Sequence, residues 1–224
     1  MITVKKYDVS QVNTREILRY MGCKDIADDI LALINDCLKE VDGKLTYRVC
    51  YDTFDISLPS CEKDLGEIDL GFCKCKSKGL ATNLAECHKA VVFGATVGIE
   101  LDRLIARYSR LSPSKALCFQ AIGAERIESL CNVFNDEVTE DCLSKDLYTR
   151  PRFSPGYGDL SLDIQKDIFR ALDCPRKIGL SLNESLLMSP SKSVTAIIGI
   201  SKTPKTCKTA SCSSCLKTDC SFRR

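Results

Sequence analysis

Hydrophobic and polar positions along the chain follow two different periods, and these periods predict both helices and strands. Apolar residues recur every third or fourth position in segments that we expect to be helical: residues 13–22, 25–41, 80–88, 100–110, 113–142 and 161–174. Alternating or continuous apolar runs bounded by turn residues predict strands at residues 45–58, 68–75, 90–98, 177–182 and 193–201.

The strand predicted at residues 45–58 has an irregular pattern. Its apolar positions are odd-numbered up to Tyr51 and even-numbered from Phe54 onward. Successive side chains of a strand point to opposite faces, so a change of phase predicts a bulge, a bend or a break into two strands.

The order of the predicted elements defines a fold class. Helices and strands follow one another without the regular alternation of a parallel α/β sheet. We therefore predict an α+β fold, in which one domain at residues 1–200 has a curved, mostly antiparallel sheet packed by helices. Residues 201–224 would form a short basic, cysteine-rich C-terminal tail.

Composition excludes several classes of protein. With 224 residues, 44% hydrophobic and 28% charged, the chain is neither disordered nor fibrous and can build one sizeable core. No apolar run approaches the roughly 20 residues of a membrane helix, and the first residues lack a signal peptide, so we expect a cytoplasmic protein without a membrane partner. A net charge of +2 gives no reason to expect a nucleic-acid partner.

The chain contains fifteen cysteines and a single histidine, His88. One histidine excludes sites built from two or more, such as the zinc-hydrolase triads. His88 lies just before an apolar run, where a structural role at the start of a strand is the expected one. In a cytoplasmic chain the cysteines stay reduced, and no cysteine has a credible neighbouring base in the sequence. We therefore predict no catalytic side chain.

Four of the cysteines form a motif in the tail. Cys207, Cys212, Cys215 and Cys220 follow the spacing Cys-x4-Cys-x2-Cys-x4-Cys, among several lysines and arginines. Four thiolates suit tetrahedral zinc or an iron–sulfur cluster, so these residues are candidate metal ligands. The alternative is a basic tail whose reduced thiols bind nothing.

Residues 150–159 are the segment least readily explained by packing. Prolines and glycines hold the backbone extended, and Arg152 offers a planar fork that can grip a carboxylate through two hydrogen bonds. Gly156 would allow a ligand to approach the main chain closely. An ordinary connecting loop is the alternative interpretation.

The same segment resembles a known signature. Arg152-Phe-Ser-Pro-Gly-Tyr157 is similar to the Arg-x-Ala-x-Gly-Tyr pattern with which the activation domain of vitamin B12-dependent methionine synthase binds S-adenosylmethionine. Further segments resemble that family in the same order along about residues 10–200: residues 19–22, 95–98, 121–128 and 188–195. The fold expected from the resemblance is the one predicted above.

The resemblance implies roles for particular residues. Arg152 would hold the ligand's carboxylate, and Gly156 and Tyr157 would line the site through main chain and ring. Ser154 stands where the family has alanine. Glu128 would be the acidic contact from the long helix, with Glu125 close enough in register to be the alternative. An acidic contact from the N-terminal part of the family domain has no identified match.

The resemblance also implies a function. A free-standing activation domain would bind S-adenosylmethionine and support reductive methylation of cob(II)alamin, as the methyltransferase component acting in trans on methionine synthase or a related corrinoid protein. Cobalamin would be carried by the partner, and a flavodoxin- or ferredoxin-type protein would supply the electron. The alternative function is a corrinoid-protein adaptor or metal-binding electron-transfer module that does not bind S-adenosylmethionine.

Overall fold

The computed structural model describes residues 1–23, 27–58 and 67–204. The four candidate metal ligands, Cys207, Cys212, Cys215 and Cys220, lie outside the described residues, so their role stays a prediction. The division of the chain at residue 200 also stays a prediction.

Within this part, the helices are α1 (Thr14–Met21), α2 (Asp28–Val41), α3 (Lys78–Asn83), α4 (Glu100–Leu111), α5 (Pro113–Leu143), α6 (Ile164–Leu172) and α7 (Cys174–Ile178). The strands are β1 (Thr3–Tyr7), β2 (Tyr47–Asp55), β3 (Ile68–Asp69), β4 (Lys74–Cys75), β5 (Cys87–Thr96), β6 (Tyr148–Thr149), β7 (Ser181–Leu182), β8 (Met188–Ser189) and β9 (Ser193–Ser201). None of the helices in the described ranges is long and apolar enough to cross a membrane.

One curved five-stranded sheet organises the molecule, in the order β1-β2-β5-β9-β6. Every neighbouring pair in this sheet is antiparallel. The strands β3 with β4 and β7 with β8 form two small additional ladders. The α+β prediction with a curved antiparallel sheet is confirmed.

Both faces of the sheet are covered by helices, which gives the molecule two hydrophobic cores. On one face, Val49, Phe93 and Ile198 pack with helical residues that include Phe119 and Phe134 of α5. On the other face, the strand residues pack with α3, α6 and α7 through Cys50, Val92, Ile197, Leu80, Ile168 and Ile178. Burial on both faces explains why β5 and β9 are almost continuously apolar.

The two cores also explain the phase change in β2. Its pairing with β5 runs without interruption from Arg48↔Thr96 to Asp55↔Lys89. The predicted bulge and the predicted break into two strands are therefore wrong, and β2 is one continuous strand of a curved sheet. The odd-numbered Tyr47 and Tyr51 pack toward one core and the even-numbered Phe54 toward the other, so the phase change records two covered faces.

Other elements depart from the sequence prediction at short or exposed segments. The strand β1 was not predicted, because it is short and carries two consecutive lysines at the sheet edge. The segment 177–182 is mostly not a strand, since Pro175 opens the short helix α7 and Gly179 ends it at a φ of 71°. The predicted strand 68–75 is a tight hairpin of β3 and β4. The predicted helix 80–88 is shorter, and His88 belongs to β5.

The long helix α5 is confirmed over nearly its predicted length and supplies one wall of the candidate site. Its middle is fixed by a buried network in which Arg126 pairs with Glu125 and donates hydrogen bonds to the backbone carbonyls of Val9 and Gln11. Gly123 lies directly under the side chain of Lys192, so a Cβ there would collide with it at 2.8 Å. These contacts fix where the neighbouring Glu128 is presented.

Candidate functional site

The segment that carries Arg152 continues the edge of the sheet along β9. The amide of Arg150 donates to the carbonyl of Gly199 at 2.8 Å, just beyond β6. Phe153 and Ile197 then exchange two backbone hydrogen bonds of 2.9 Å each. Pro151 and Arg152 lie between these attachments, so the position of Arg152 is set by the sheet on both sides.

The guanidinium of Arg152 faces α5 and is held by two side chains one turn apart on that helix. Its Nη2 lies 2.7 Å from Oε2 of Glu128, and its Nη1 donates to Oδ1 of Asn132 at 2.8 Å. The side chains of Arg152 and Glu128 remain 24% and 35% exposed, so a small molecule can reach the pair. Arg152 and Glu128 are brought together from positions 24 residues apart.

Of the two acidic candidates on α5, only Glu128 contacts Arg152. Glu125 is 2% exposed and pairs with Arg126 instead. It also accepts hydrogen bonds from the Asn13 amide at 3.1 Å and the Ser129 hydroxyl at 2.7 Å. Its oxygens are therefore occupied by the fold itself.

After Phe153 the chain makes a compact turn. The amide of Tyr157 donates to the carbonyl of Ser154 at 3.1 Å, and the amide of Gly156 donates to the carbonyl of Leu160 at 2.9 Å. Gly156 has a φ of 83°, a conformation that favours glycine. The Tyr157 ring is 68% exposed and stands edge-on to Phe153, with the ring centroids 5.3 Å apart.

The end of the turn is anchored by a residue that the sequence alone did not single out. Asp159 accepts hydrogen bonds from the Ser77 hydroxyl at 2.5 Å, the Lys78 amide at 2.6 Å and the Gly79 amide at 3.0 Å. These hydrogen bonds, that from Ser77 foremost, hold the pKa of the Asp159 carboxyl below its usual range. The partners of Asp159 lie about 80 residues earlier in the chain. The one sequence feature that could have drawn attention to Asp159 is its position directly after the Gly-Tyr-Gly run.

The described residues give the site a charged pair and a glycine turn, and none of them forms an arrangement typical of acid–base catalysis. Within residues 1–23, 27–58 and 67–204, no group of three or more His, Cys, Asp or Glu side chains is placed to hold a metal ion. Burial raises the pKa of the thiol of Cys131, a core residue on the same helix as Glu128, to about 12. That thiol is therefore protonated and a poor nucleophile at neutral pH.

The fold and this loop define an α+β domain that carries a partly exposed arginine–glutamate ion pair and, a few residues further along the chain, an exposed glycine turn. The family model of the activation domain of vitamin B12-dependent methionine synthase matches residues 90–214, which is more than half of the chain. The chain belongs to this family, as its signature residues predict.

A solved structure supports the same fold. The crystal structure of the MetH reactivation domain bound to AdoHcy superposes with a TM-score of 0.64 at 14% sequence identity. The match covers 89% of this chain and 78% of that chain. At this identity the likeness shows the fold alone. A search of curated protein sequences finds no match.

Proposed function

We propose that the chain binds S-adenosylmethionine at the Arg152 loop and presents its methyl group to a partner's cobalamin. The observation that carries this proposal is the partly exposed pair of Arg152, on the family's signature loop, and Glu128 of α5. The structurally similar MetH domain was crystallised with AdoHcy, the product of such a methyl transfer.

The charges suit the amino-acid end of S-adenosylmethionine, which carries one carboxylate and one ammonium group. The carboxylate would accept hydrogen bonds from Arg152 in place of the weaker neutral contact with Asn132. The ammonium group would pair with Glu128, whose Oε2 binds Arg152 and whose other carboxylate oxygen has no hydrogen-bond partner within the described part of the chain. Each residue therefore has a complementary group on the ligand.

The turn would bind the rest of the ligand. Gly156 lets the ligand contact the main chain, and the exposed ring of Tyr157 offers an apolar face. Ser154, in place of the family's alanine, is half-buried, and its carbonyl is used within the turn. A ligand that contacts the main chain at Ser154 would not use its side chain, so such a contact would tolerate the hydroxyl that alanine lacks.

The reaction divides between this chain and its partners. One electron and the sulfonium methyl group convert the partner's cob(II)alamin into methylcobalamin, with release of S-adenosylhomocysteine. The cobalt supplies the nucleophile, so this chain needs only to bind and orient the donor. We propose that it acts in trans, as the methyltransferase component for methionine synthase or a related corrinoid protein, with a flavodoxin- or ferredoxin-type electron donor.

Calorimetric titration with S-adenosylmethionine tests the binding step. Arg152→Ala should weaken binding by about 2 kcal/mol, because it removes a charge-assisted hydrogen-bonding partner of the carboxylate. Arg170→Ala is the matched control, since Arg170 pairs with Asp167 on the exposed side of α6. If the native chain does not bind at millimolar ligand, the adaptor function that needs no S-adenosylmethionine is favoured instead.

We also propose that Cys207, Cys212, Cys215 and Cys220 bind one zinc ion or one iron–sulfur cluster. The support is their number and close spacing in the sequence. A cluster could relay the electron that reactivation consumes. Metal analysis and visible absorption of anaerobically prepared protein test this, with Cys212→Ser expected to lose the metal and Cys23→Ser to retain it. Protein with neither zinc nor thiolate-to-iron absorption would contradict the proposal.

A further inference from the structure

The helix α3 holds the candidate binding loop at both ends. At its N-terminal end, Ser77, Lys78 and Gly79 donate hydrogen bonds to the Asp159 carboxylate. Near its C-terminal end, the Asn83 side-chain amide donates to the carbonyl of Pro151 at 3.1 Å. Residues 152–158 therefore lie between two residues, Pro151 and Asp159, that are both hydrogen-bonded to the same short helix.

The attachment at Asp159 is closely fitted. The Ser77 hydroxyl donates to Asp159 and also accepts a hydrogen bond from the Leu80 amide at 3.0 Å, so it caps α3 while it binds the loop. A Cβ at Gly79 would lie 3.0 Å from Oδ1 of Asp159 and 3.2 Å from the Phe153 ring. The close approach of loop and helix thus depends on glycine at this position.

The attachment requires a carboxylate. Oδ1 accepts from Ser77 and Gly79, and Oδ2 accepts from Lys78, so every contact needs an oxygen acceptor. An asparagine would place an NH2 group against one of these donors, whichever way its amide is turned. The negative charge of Asp159 therefore serves to attach the loop to α3. The Asp159 side chain does not contact Arg152.

We infer that Asp159 is a positioning residue of the S-adenosylmethionine site, fixing the Gly156–Tyr157 turn on α3 before the ligand binds. This inference rests on the proposed function. Order already present in the free protein does not have to be gained on binding, and this raises affinity. Asp159 acts on the ligand through the turn and not by touching it.

Asp159→Asn tests the inference, with Asp141→Asn as the control. Among the described residues, the Asp141 side chain pairs only with the exposed Lys145, just beyond the C-terminal end of α5. Asp159→Asn should raise the Kd for S-adenosylmethionine roughly tenfold through the loss of preformed hydrogen bonds. It should also speed amide hydrogen exchange at residues 154–158 of the ligand-free protein, while global unfolding stays close to that of the native chain.

The outcomes separate this inference from the proposed function. A native chain that does not bind S-adenosylmethionine sinks the proposed function. Native binding combined with an unchanged Kd in Asp159→Asn overturns the inference alone. A uniform rise in exchange across the whole chain also overturns it, because that result assigns Asp159 a general structural role. Asp159→Glu, which keeps both oxygen acceptors, should restore part of the lost affinity.

Discussion

Two arginine–glutamate pairs, each with its glutamate on α5, have the same chemistry and different consequences because their burial differs. The side chains of Arg126 and Glu125 are 3% and 2% exposed, whereas Arg152 and Glu128 remain accessible to solvent. A buried pair that loses one partner leaves an uncompensated charge in the core. An accessible pair can exchange its partner for a ligand at little cost in stability.

This difference predicts opposite outcomes for two isosteric substitutions. Glu125→Gln should lower the free energy of unfolding by about 3–5 kcal/mol, since Arg126 would stay buried and unpaired. Glu128→Gln should lower it by less than about 1 kcal/mol, yet weaken S-adenosylmethionine binding. Urea unfolding and calorimetry measure the two effects. Equal loss of stability in both variants would contradict the assignment of Glu125 to a buried structural pair and of Glu128 to an accessible one.

Gly156 allows a second test at the residue scale, with Gly43 as its control. Both have positive φ, 83° and 67°, but only Gly156 lies at the candidate site. Alanine at either position should cost about 1–2 kcal/mol of stability from the left-handed conformation. Only Gly156→Ala should also weaken ligand binding, which calorimetry detects. Weaker binding in Gly43→Ala as well would point to general loosening of the fold.

The residues of the candidate site could be predicted from the sequence only in part. Arg152, Gly156 and Tyr157 stand in a short motif, so the sequence alone identified them as candidates. The choice between Glu125 and Glu128 needed the structure, because both lie within one turn of the same helix. Asp159 was missed because its partners on α3 are distant in sequence and its contacts are formed only by the fold.

At the scale of elements, the sequence predicted best those helices and strands whose apolar residues recur in a regular pattern. The helix α5 and the strand β9 have long, regular patterns and were predicted nearly at their observed bounds. The strand β2 misled the prediction, because apolar residues on both faces imitate a change of phase. Short edge elements such as β1 and β6 carry too few residues for a pattern, so their existence depends on pairing with neighbours.

The packing of α5 on the sheet should depend strongly on Phe134. Its ring lies 4.8 Å from that of Phe93 and 5.1 Å from that of Tyr51, measured between centroids. Phe134→Ala should cost about 3–5 kcal/mol of stability through the cavity it leaves. Val133→Ala, on the exposed side of the same helix, should change stability by less than about 1 kcal/mol. Urea unfolding compares them, and a small loss for Phe134→Ala would contradict this packing.

The link between the loop and α3 should weaken in acid. Hydrogen bonds hold the pKa of Asp159 below its unfolded value of about 3.9, so their contribution to the local stability of the loop is complete above that value. It is lost as the pH falls through the lower folded pKa, where the carboxylate is protonated. An NMR titration of the Asp159 carboxyl group measures this directly. A midpoint at or above the unfolded value would contradict the hydrogen-bonded geometry.

At the scale of the whole molecule, the two cores and the site are parts of one arrangement. The sheet is buried on both faces, and the loop that carries Arg152 is bonded to β9 at its edge, to α5 through Glu128 and to α3 through Asp159. A ligand bound there would therefore contact a site assembled from elements on both faces of the sheet. Such a site is fixed by the complete fold and is absent from the unfolded chain.

Ligand binding should consequently stabilise the whole domain. A ligand that binds only the folded state at one hundred times its Kd adds about 2.7 kcal/mol to the free energy of unfolding. Thermal unfolding of the native chain should shift upward with S-adenosylmethionine, and to a smaller extent in Arg152→Ala at the same concentration. A shift of equal size in both would remove Arg152 from the site.

The most direct test of the central claim is the calorimetric affinity of the native chain for S-adenosylmethionine, measured beside Arg152→Ala and Arg170→Ala. The structure predicts saturable binding by one ligand per chain, weakened by about 2 kcal/mol in Arg152→Ala and unchanged in Arg170→Ala. Absence of binding by the native chain at millimolar S-adenosylmethionine would contradict it.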